Sequence, residues 1–194
     1  MRLIINLILL LITIGLLYVL IVSIREPIAF ASEKTRREAA VKDRLIQIRK
    51  AQELYRGITD TYAPNFDTLE QVLRTGAFKI VKVTGDPDDP TGMAISYDTI
   101  VKPAIDSVQS LGLLLDSLRY IPYTNKVEFD IAADTITYQQ TLVSVVEVGA
   151  KRSVFMGRFA DTKYIKYDNK YDPNAAIKFG DMNTPKLSGN WESN

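Results

Sequence analysis

The run LIINLILLLITIGLLYVLIVSI, residues 3–24, contains no charged side chain. Arg2 stands before it, and Arg25 and Glu26 follow it directly. At 1.5 Å per residue, a helix of this length extends about 33 Å, which is enough to cross the hydrocarbon core of a bilayer. The run therefore predicts a membrane-spanning helix over residues 1–26. Its notably polar side chains are Asn6, Thr13 and Ser23.

A cleaved signal peptide is the alternative reading of this run. The apolar core of a signal peptide usually has about 7–15 residues and ends near a pair of small residues. Here the run is longer, Arg25-Glu26-Pro27 follows it, and Phe30-Ala31-Ser32 is a poor cleavage site. We therefore expect the helix to be retained as a membrane anchor.

A second helical pattern follows the apolar run. Its apolar residues recur at spacings of four, three, three and four, which is typical of one face of an amphipathic helix. This pattern predicts a stalk helix over residues 27–58, with Pro27 kinking it or restarting it. Two interpretations stay open: the stripe packs on the protein's own domain, or part of it packs against neighbouring copies or partner helices. The stripe consists of Val41, Leu45, Ile48, Ala51 and Tyr55.

Residues 59–194 change to patterns typical of a mixed domain. A capping box at Asp67 and Glu70 predicts the start of a short helix, and Gly76 predicts its end. Alternating or β-branched segments predict strands at residues 78–83, 95–101, 127–131, 141–148 and 152–159. Near the terminus, we expect Trp191 to pin the tail to the domain. The predicted fold class is α+β: a transmembrane helix that continues into an amphipathic stalk helix packed on an antiparallel β-sheet domain.

Composition excludes several classes of function. The 24 basic and 23 acidic residues leave a net charge of +1, so no global charge favours nucleic acid. Cysteine and histidine are both absent, which removes thiol nucleophiles, disulfides, Cys/His zinc sites and any Ser-His-Asp triad. Because no motif places a nucleophile beside a base, we expect a protein that is not an enzyme.

The densest acidic cluster is Asp86, Asp88 and Asp89, between Gly85 and Gly92. Carboxylates at this spacing are ligands that Ca²⁺ accepts, which makes calcium the one cofactor to consider. The alternative is a proline-punctuated turn whose carboxylates cap local backbone groups. The same two interpretations apply to a second group in the C-terminal region: Asp168, Asn169, Asp172 and Asn174.

A run of basic residues follows the apolar helix. Lys34, Arg36 and Arg37 lead it, and further cations continue along the stalk. It is interpreted either as the solvated face of the stalk or as a surface for anionic lipid or an acidic partner.

Part of the chain is similar to a known family. The segment RLIQIRKAQELY at residues 44–55, then Gly57, Tyr62 and the FDTL of residues 66–69, resembles the end of the long helix in type IV pilins and type II secretion pseudopilins. The ending Gly189-Asn190-Trp191 is also similar to that of a group of bacterial pilin-like proteins. The prepilin-peptidase signal of the family, a Gly before an aromatic residue with a Glu five positions on, is absent from the printed chain.

The resemblance implies a single-pass protein of a bacterial inner membrane, with a cytoplasmic N-terminus and a periplasmic domain at residues 59–194. It would be a non-enzymatic subunit of a pilus-like or secretion-type assembly, partnered by the bilayer, by envelope proteins and by copies of itself. Some pseudopilins also hold calcium in a loop. Lysines and arginines near the helix ends would instead place the C-terminal side in the cytoplasm. The alternative function is a membrane-tethered, extracytoplasmic ligand- or partner-binding domain outside any filament.

Overall fold

The computed structural model describes residues 2–84 and 96–192. Its dominant element is a single helix, α1 (Arg2–Thr59), of 58 residues. The helix is not interrupted at Pro27, so the expected restart does not occur. A proline removes only one backbone hydrogen bond from the ladder. Phe30, in the following turn, is buried on the domain and holds that turn in place. The helix ends as predicted, with Asp60 in the left-handed region (φ 62°) and its N–H donating to the Arg56 carbonyl oxygen.

The helices and strands that follow α1 are all short. The helices are α2 (Phe66–Thr75), α3 (Ala104–Ser110), α4 (Leu115–Leu118) and α5 (Arg152–Phe155). The strands are β1 (Ala77–Thr84), β2 (Ser96–Pro103), β3 (Asp130–Tyr138), β4 (Thr141–Lys151) and β5 (Ala176–Gly180). Two 3₁₀ segments, Gly157–Phe159 and Thr162–Lys166, lie between α5 and β5. The fold is therefore α+β, as the sequence predicts.

The strands form two separate antiparallel sheets. β1 and β2 form a two-stranded hairpin in which Ile80 pairs with Ile100. β4 is the central strand of the second sheet and lies between β3 and β5. A two-residue turn at Gln139 and Gln140 joins β3 to β4, and both residues have positive φ. The larger sheet supplies the surface on which α1 packs.

The core lies between the C-terminal half of α1 and the three-stranded sheet. Val41, Leu45 and Ile48 are completely buried, and they share one apolar cluster with Val148 of β4 and Phe179 of β5. Full burial of such a side chain contributes about 1.5–3 kcal/mol each. The stalk helix is thus the central element of the domain.

The start of α2 differs from the predicted capping box. Asn65 is the N-cap, and its side chain accepts a hydrogen bond of 2.8 Å from the N–H of Thr68. Asp67 lies in the first turn instead, where its carboxylate binds Arg119 at 2.5 Å. Asn65 therefore caps the helix two residues before the predicted position, through the N–H of Thr68. The end at Gly76 is confirmed.

The predicted strand at residues 152–159 is wrong. This segment forms α5 and a 3₁₀ turn, because its backbone donors bond to a neighbouring loop rather than to a strand. The N–H groups of Arg152 and Ser153 donate to the carbonyl oxygens of Ala175 and Pro173. The predicted tail anchor is confirmed, since the partly buried Trp191 packs on the core.

Candidate functional site

The two halves of α1 differ completely in their environment. In the N-terminal half, residues 3–21 are all exposed, and their large apolar side chains range from 48% exposed at Ile21 to 86% at Leu3. Among the described residues, α1 is the one helix long and apolar enough to cross a membrane, and none of its most apolar window is buried. Such a helix is compatible with a single-pass membrane protein.

The predicted apolar stripe of the stalk lies inside the molecule. Val41, Leu45, Ile48, Ala51 and Tyr55 are all buried in the chain's own core. This is the first of the two interpretations, and it leaves these five side chains no surface for a partner helix.

Several arginine side chains of the stalk helix bind the rest of the domain and do not face only solvent. Arg37 donates to the carbonyl oxygen of Phe155 at 2.6 Å, and Arg44 donates to that of Ser117. Further along, Arg49 binds Glu192 at 2.9 Å and Arg56 donates to the hydroxyl of Tyr62 at 3.0 Å. Sequence reasoning placed these cations on the outer faces, because helical spacing does not show that the domain wraps around several faces.

An aromatic cluster joins the domain to α1 just beyond the apolar run. We name it the aromatic collar. Phe30 lies at its centre, stacked on Tyr164 at 5.3 Å between ring centroids and edge-on to Phe159 at 5.7 Å. Sequence reasoning missed Phe30, because the charged residues between it and Val41 hide the continuation of the stripe. The collar consists of Phe30, Phe159, Tyr164, Tyr167 and Tyr171.

Polar contacts fix the collar in place. The Tyr167 hydroxyl donates to the Glu26 carboxylate at 2.7 Å, and the buried Tyr171 hydroxyl donates to the Phe159 carbonyl oxygen at 2.7 Å. Burial raises the pKa of Tyr171 to about 12. Lys34 forms an ion pair with Asp168, and this contact, with the Lys170 N–H, lowers the pKa of Asp168. The domain is therefore held at a defined place beside residues 26–34 of α1.

The structure describes one of the two acidic groups that were considered as calcium sites, and not the other. Asp86, Asp88 and Asp89 lie outside the described residues. In the second group, Asp168 and Asp172 accept hydrogen bonds from the N–H groups of Lys170 and Asn174, at 2.9 and 2.8 Å. Such local capping is what the alternative interpretation expected. Across residues 2–84 and 96–192, no cluster of three acidic side chains is arranged to hold a metal ion.

The β1–β2 hairpin exposes apolar side chains on both of its faces. Ile80 and Ile100 are 49% and 48% exposed on one face, and Val81 and Val101 are exposed on the other. Within the described part of the chain, no third strand pairs with the hairpin. A two-stranded ribbon of this kind presents open edges to which another strand can add.

Comparisons with known proteins give no family for this chain. No protein-family model matches it, and neither a curated protein nor a solved structure matches it.

Proposed function

We propose that the protein is a non-enzymatic, single-pass membrane subunit of a pilus-like or secretion-type envelope assembly. The observation that carries this proposal is the division of α1 into an exposed apolar half and a half buried in the folded domain. One continuous helix then anchors the chain and forms the core of the domain. Partner recognition falls to the surface of the β-rich region.

The energetics favour a bilayer around residues 3–24. Each exposed Leu or Ile side chain gains about 1.5–3 kcal/mol on leaving water, so the whole run gains tens of kcal/mol. The hydroxyl of Thr13, within the run, donates to the Leu9 carbonyl oxygen at 2.8 Å. A hydroxyl bonded within its own helix needs no other partner in hydrocarbon. The Thr13 hydroxyl therefore adds little polar cost when the run is buried in lipid.

The hairpin supplies a surface for a second copy of the chain. Antiparallel pairing of β2 with β2 of another copy, centred on Ile100, places Ile100 opposite Ile100 and Asp98 opposite Lys102 twice. Opposite charges across an antiparallel pair are favourable, and like charges are not. The β1 edge instead carries Lys79 and Lys82, which discourage pairing of two β1 edges. The β2 edge is thus self-complementary and the β1 edge is protected.

The pilin resemblance supports a bacterial inner membrane, with the N-terminus in the cytoplasm and the domain in the periplasm. Protease added to spheroplasts from outside should then remove the domain, and cleavage seen only after lysis would reverse this orientation. The positive charges beyond residue 24 favour the opposite direction, so this experiment is decisive.

The second candidate function is a membrane-tethered domain that binds an extracytoplasmic partner outside any filament. The exposed apolar faces of the hairpin fit this function too, because a strand of another protein can add to the same edge. The native mass of the full chain, extracted from membranes in mild detergent, separates the two. A mass of two or more copies, or co-purified secretion components, supports the assembly subunit. A discrete monomer that carries neither refutes it.

A further inference from the structure

A groove of about 550 Å³ lies between α1 and the domain, where the apolar run ends. One wall is a stripe of α1 in which Tyr18 and Ile21 belong to the apolar run, and Arg25 and Ala29 follow it. The opposite wall comes from the domain and includes Arg158, Phe159 and Tyr164; Glu26 also lines the groove. The groove therefore changes along its length from apolar to cationic.

The domain wall of this groove is held against α1 by the aromatic collar. Phe30 stacks on Tyr164 and contacts the edge of Phe159, which fixes the 3₁₀ segments that carry the cations. The guanidinium of Arg158 lies over the Phe159 ring, 4.6 Å from its centroid. The groove is consequently built from packed residues of both elements.

The charges around the groove favour an anion. Arg25 and Arg158 line it, and Lys163 and Lys166 are exposed on the adjoining 3₁₀ segment. Two carboxylates are nearby: Glu26 accepts a hydrogen bond from Tyr167, and Asp161 caps the N–H of Lys163. Four cations against two carboxylates leave a net positive site, and guanidinium groups bind phosphate oxygens in a bidentate manner.

The height of the groove matches the border of a bilayer. Arg25 is the first charged residue after the apolar run, and Tyr18 lies two helical turns, or about 10 Å, deeper. A phospholipid has its groups in the matching order, with its anionic phosphate at the border and its apolar acyl chains below. Tyrosine and arginine side chains are also typical of this border.

We propose that this groove binds one anionic phospholipid, with its phosphate at Arg25 and Arg158 and an acyl chain along Tyr18 and Ile21. The inference rests on the membrane anchorage in the proposed function. The bound lipid would fix the height and rotation of the domain on the membrane surface, since it bridges α1 and the 3₁₀ segments.

The test is native mass spectrometry of the full chain in detergent, titrated with dioctanoyl phosphatidylglycerol. Dioctanoyl phosphatidylcholine and inorganic phosphate are titrated in parallel. The variant Arg25→Gln/Arg158→Gln removes both proposed phosphate ligands. Lys50→Gln/Lys151→Gln removes the same charge from exposed positions outside the groove and serves as the matched control. The emission and thermal unfolding of Trp191 report whether each variant folds.

We expect one phosphatidylglycerol to bind in preference to phosphatidylcholine, and the groove variant to bind it roughly thirtyfold more weakly while the control binds as wild type does. Equal binding of the two lipids, equal loss in both variants, or full competition by inorganic phosphate would overturn the lipid site. These outcomes leave the proposed function intact if the chain still fractionates with membranes as an oligomer. Recovery of the full chain as a soluble protein would instead refute the membrane anchor.

Discussion

The side-chain amide of Gln52 pairs with the backbone of Ala63 through two hydrogen bonds. Its Nε2 donates to the Ala63 carbonyl oxygen at 3.0 Å, and the Ala63 N–H donates to its Oε1 at 2.9 Å. Both residues are completely buried. One glutamine on α1 thus satisfies the two backbone groups of the loop that leads into α2, and it sets the path of the chain as it leaves the long helix.

Substitution of Gln52 by Leu should lower the free energy of unfolding by about 2–4 kcal/mol, because it leaves a buried N–H and a buried carbonyl oxygen without partners. Urea unfolding of the full chain in detergent, followed by the emission of Trp191, measures the change. Glu53→Leu, at the next and exposed position, is the control and should change stability by less than about 0.5 kcal/mol. Equal effects of the two variants would show that the amide pairing contributes nothing.

The pairing of Gln52 with Ala63 also shows which kind of contact the sequence alone does not predict. The apolar run and the stalk stripe were predictable, because the hydrophobic pattern alone determines which helix face is buried. Gln52 sits beside the stripe as an ordinary polar residue, and its partner lies in a loop whose path no local pattern encodes. Phe30 was missed for a related reason, since its partners come from residues 159–171. The groove beside Arg25 is lined by α1 and by the 3₁₀ segments together. Only the folded structure shows that these two parts of the chain lie side by side.

Gly180 ends β5 at a position that excludes a side chain. Its φ is +80°, and a Cβ atom there would lie 1.9 Å from the Val146 carbonyl oxygen. Gly180→Ala should therefore cost roughly 3 kcal/mol or more, since strand β4 must move. Gly112 also has a positive φ, of +65°, but nothing lies within 4 Å of its Cβ position. Gly112→Ala isolates the backbone strain and should cost only about 1–2 kcal/mol in the same unfolding assay.

The turn between β3 and β4 carries avoidable strain. Gln139 and Gln140 have φ of 47° and 66°, the signs that a type I′ turn requires, yet neither is a favoured residue there. Replacement by Asn-Gly should raise the free energy of unfolding by about 1 kcal/mol. Replacement by Ala-Ala keeps the Cβ atoms and should give no such gain. If both variants match wild type in urea unfolding, the turn is not strained.

The ion pair of Lys34 and Asp168 makes the free energy of unfolding depend on pH. Lys34 and the Lys170 N–H lower the pKa of Asp168 in the folded state. The ionised Asp168 therefore adds to the free energy of unfolding above about pH 4. This contribution is lost as the pH falls through the lower folded-state pKa. Asp168→Asn should therefore be less stable than wild type at pH 6 and should approach it near pH 2.

Lys34→Met should reduce the same pH dependence, and the double variant should cost no more than the larger single change. The free energy of unfolding from pH 2 to pH 7 provides the measurement. Additive costs for the two single substitutions would mean that the residues act independently.

The proposed pairing of two β2 edges predicts a charge-swap result. Lys102 pairs with the apolar Phe78 inside its own hairpin, so Lys102→Asp creates no like-charge pair there. Across the proposed interface, the carboxylate introduced by this substitution would face Asp98 of the second copy twice, and the dimer should weaken about tenfold or more. The double swap Asp98→Lys/Lys102→Asp is made together with Lys82→Asp, because Lys82 faces position 98 inside the hairpin. It restores opposite charges across the interface and should restore the dimer, while Lys79→Asp on the β1 edge should leave it unchanged. Sedimentation of the full chain in detergent gives the masses. A dimer that tolerates Lys102→Asp, or that the double swap fails to rescue, excludes this interface.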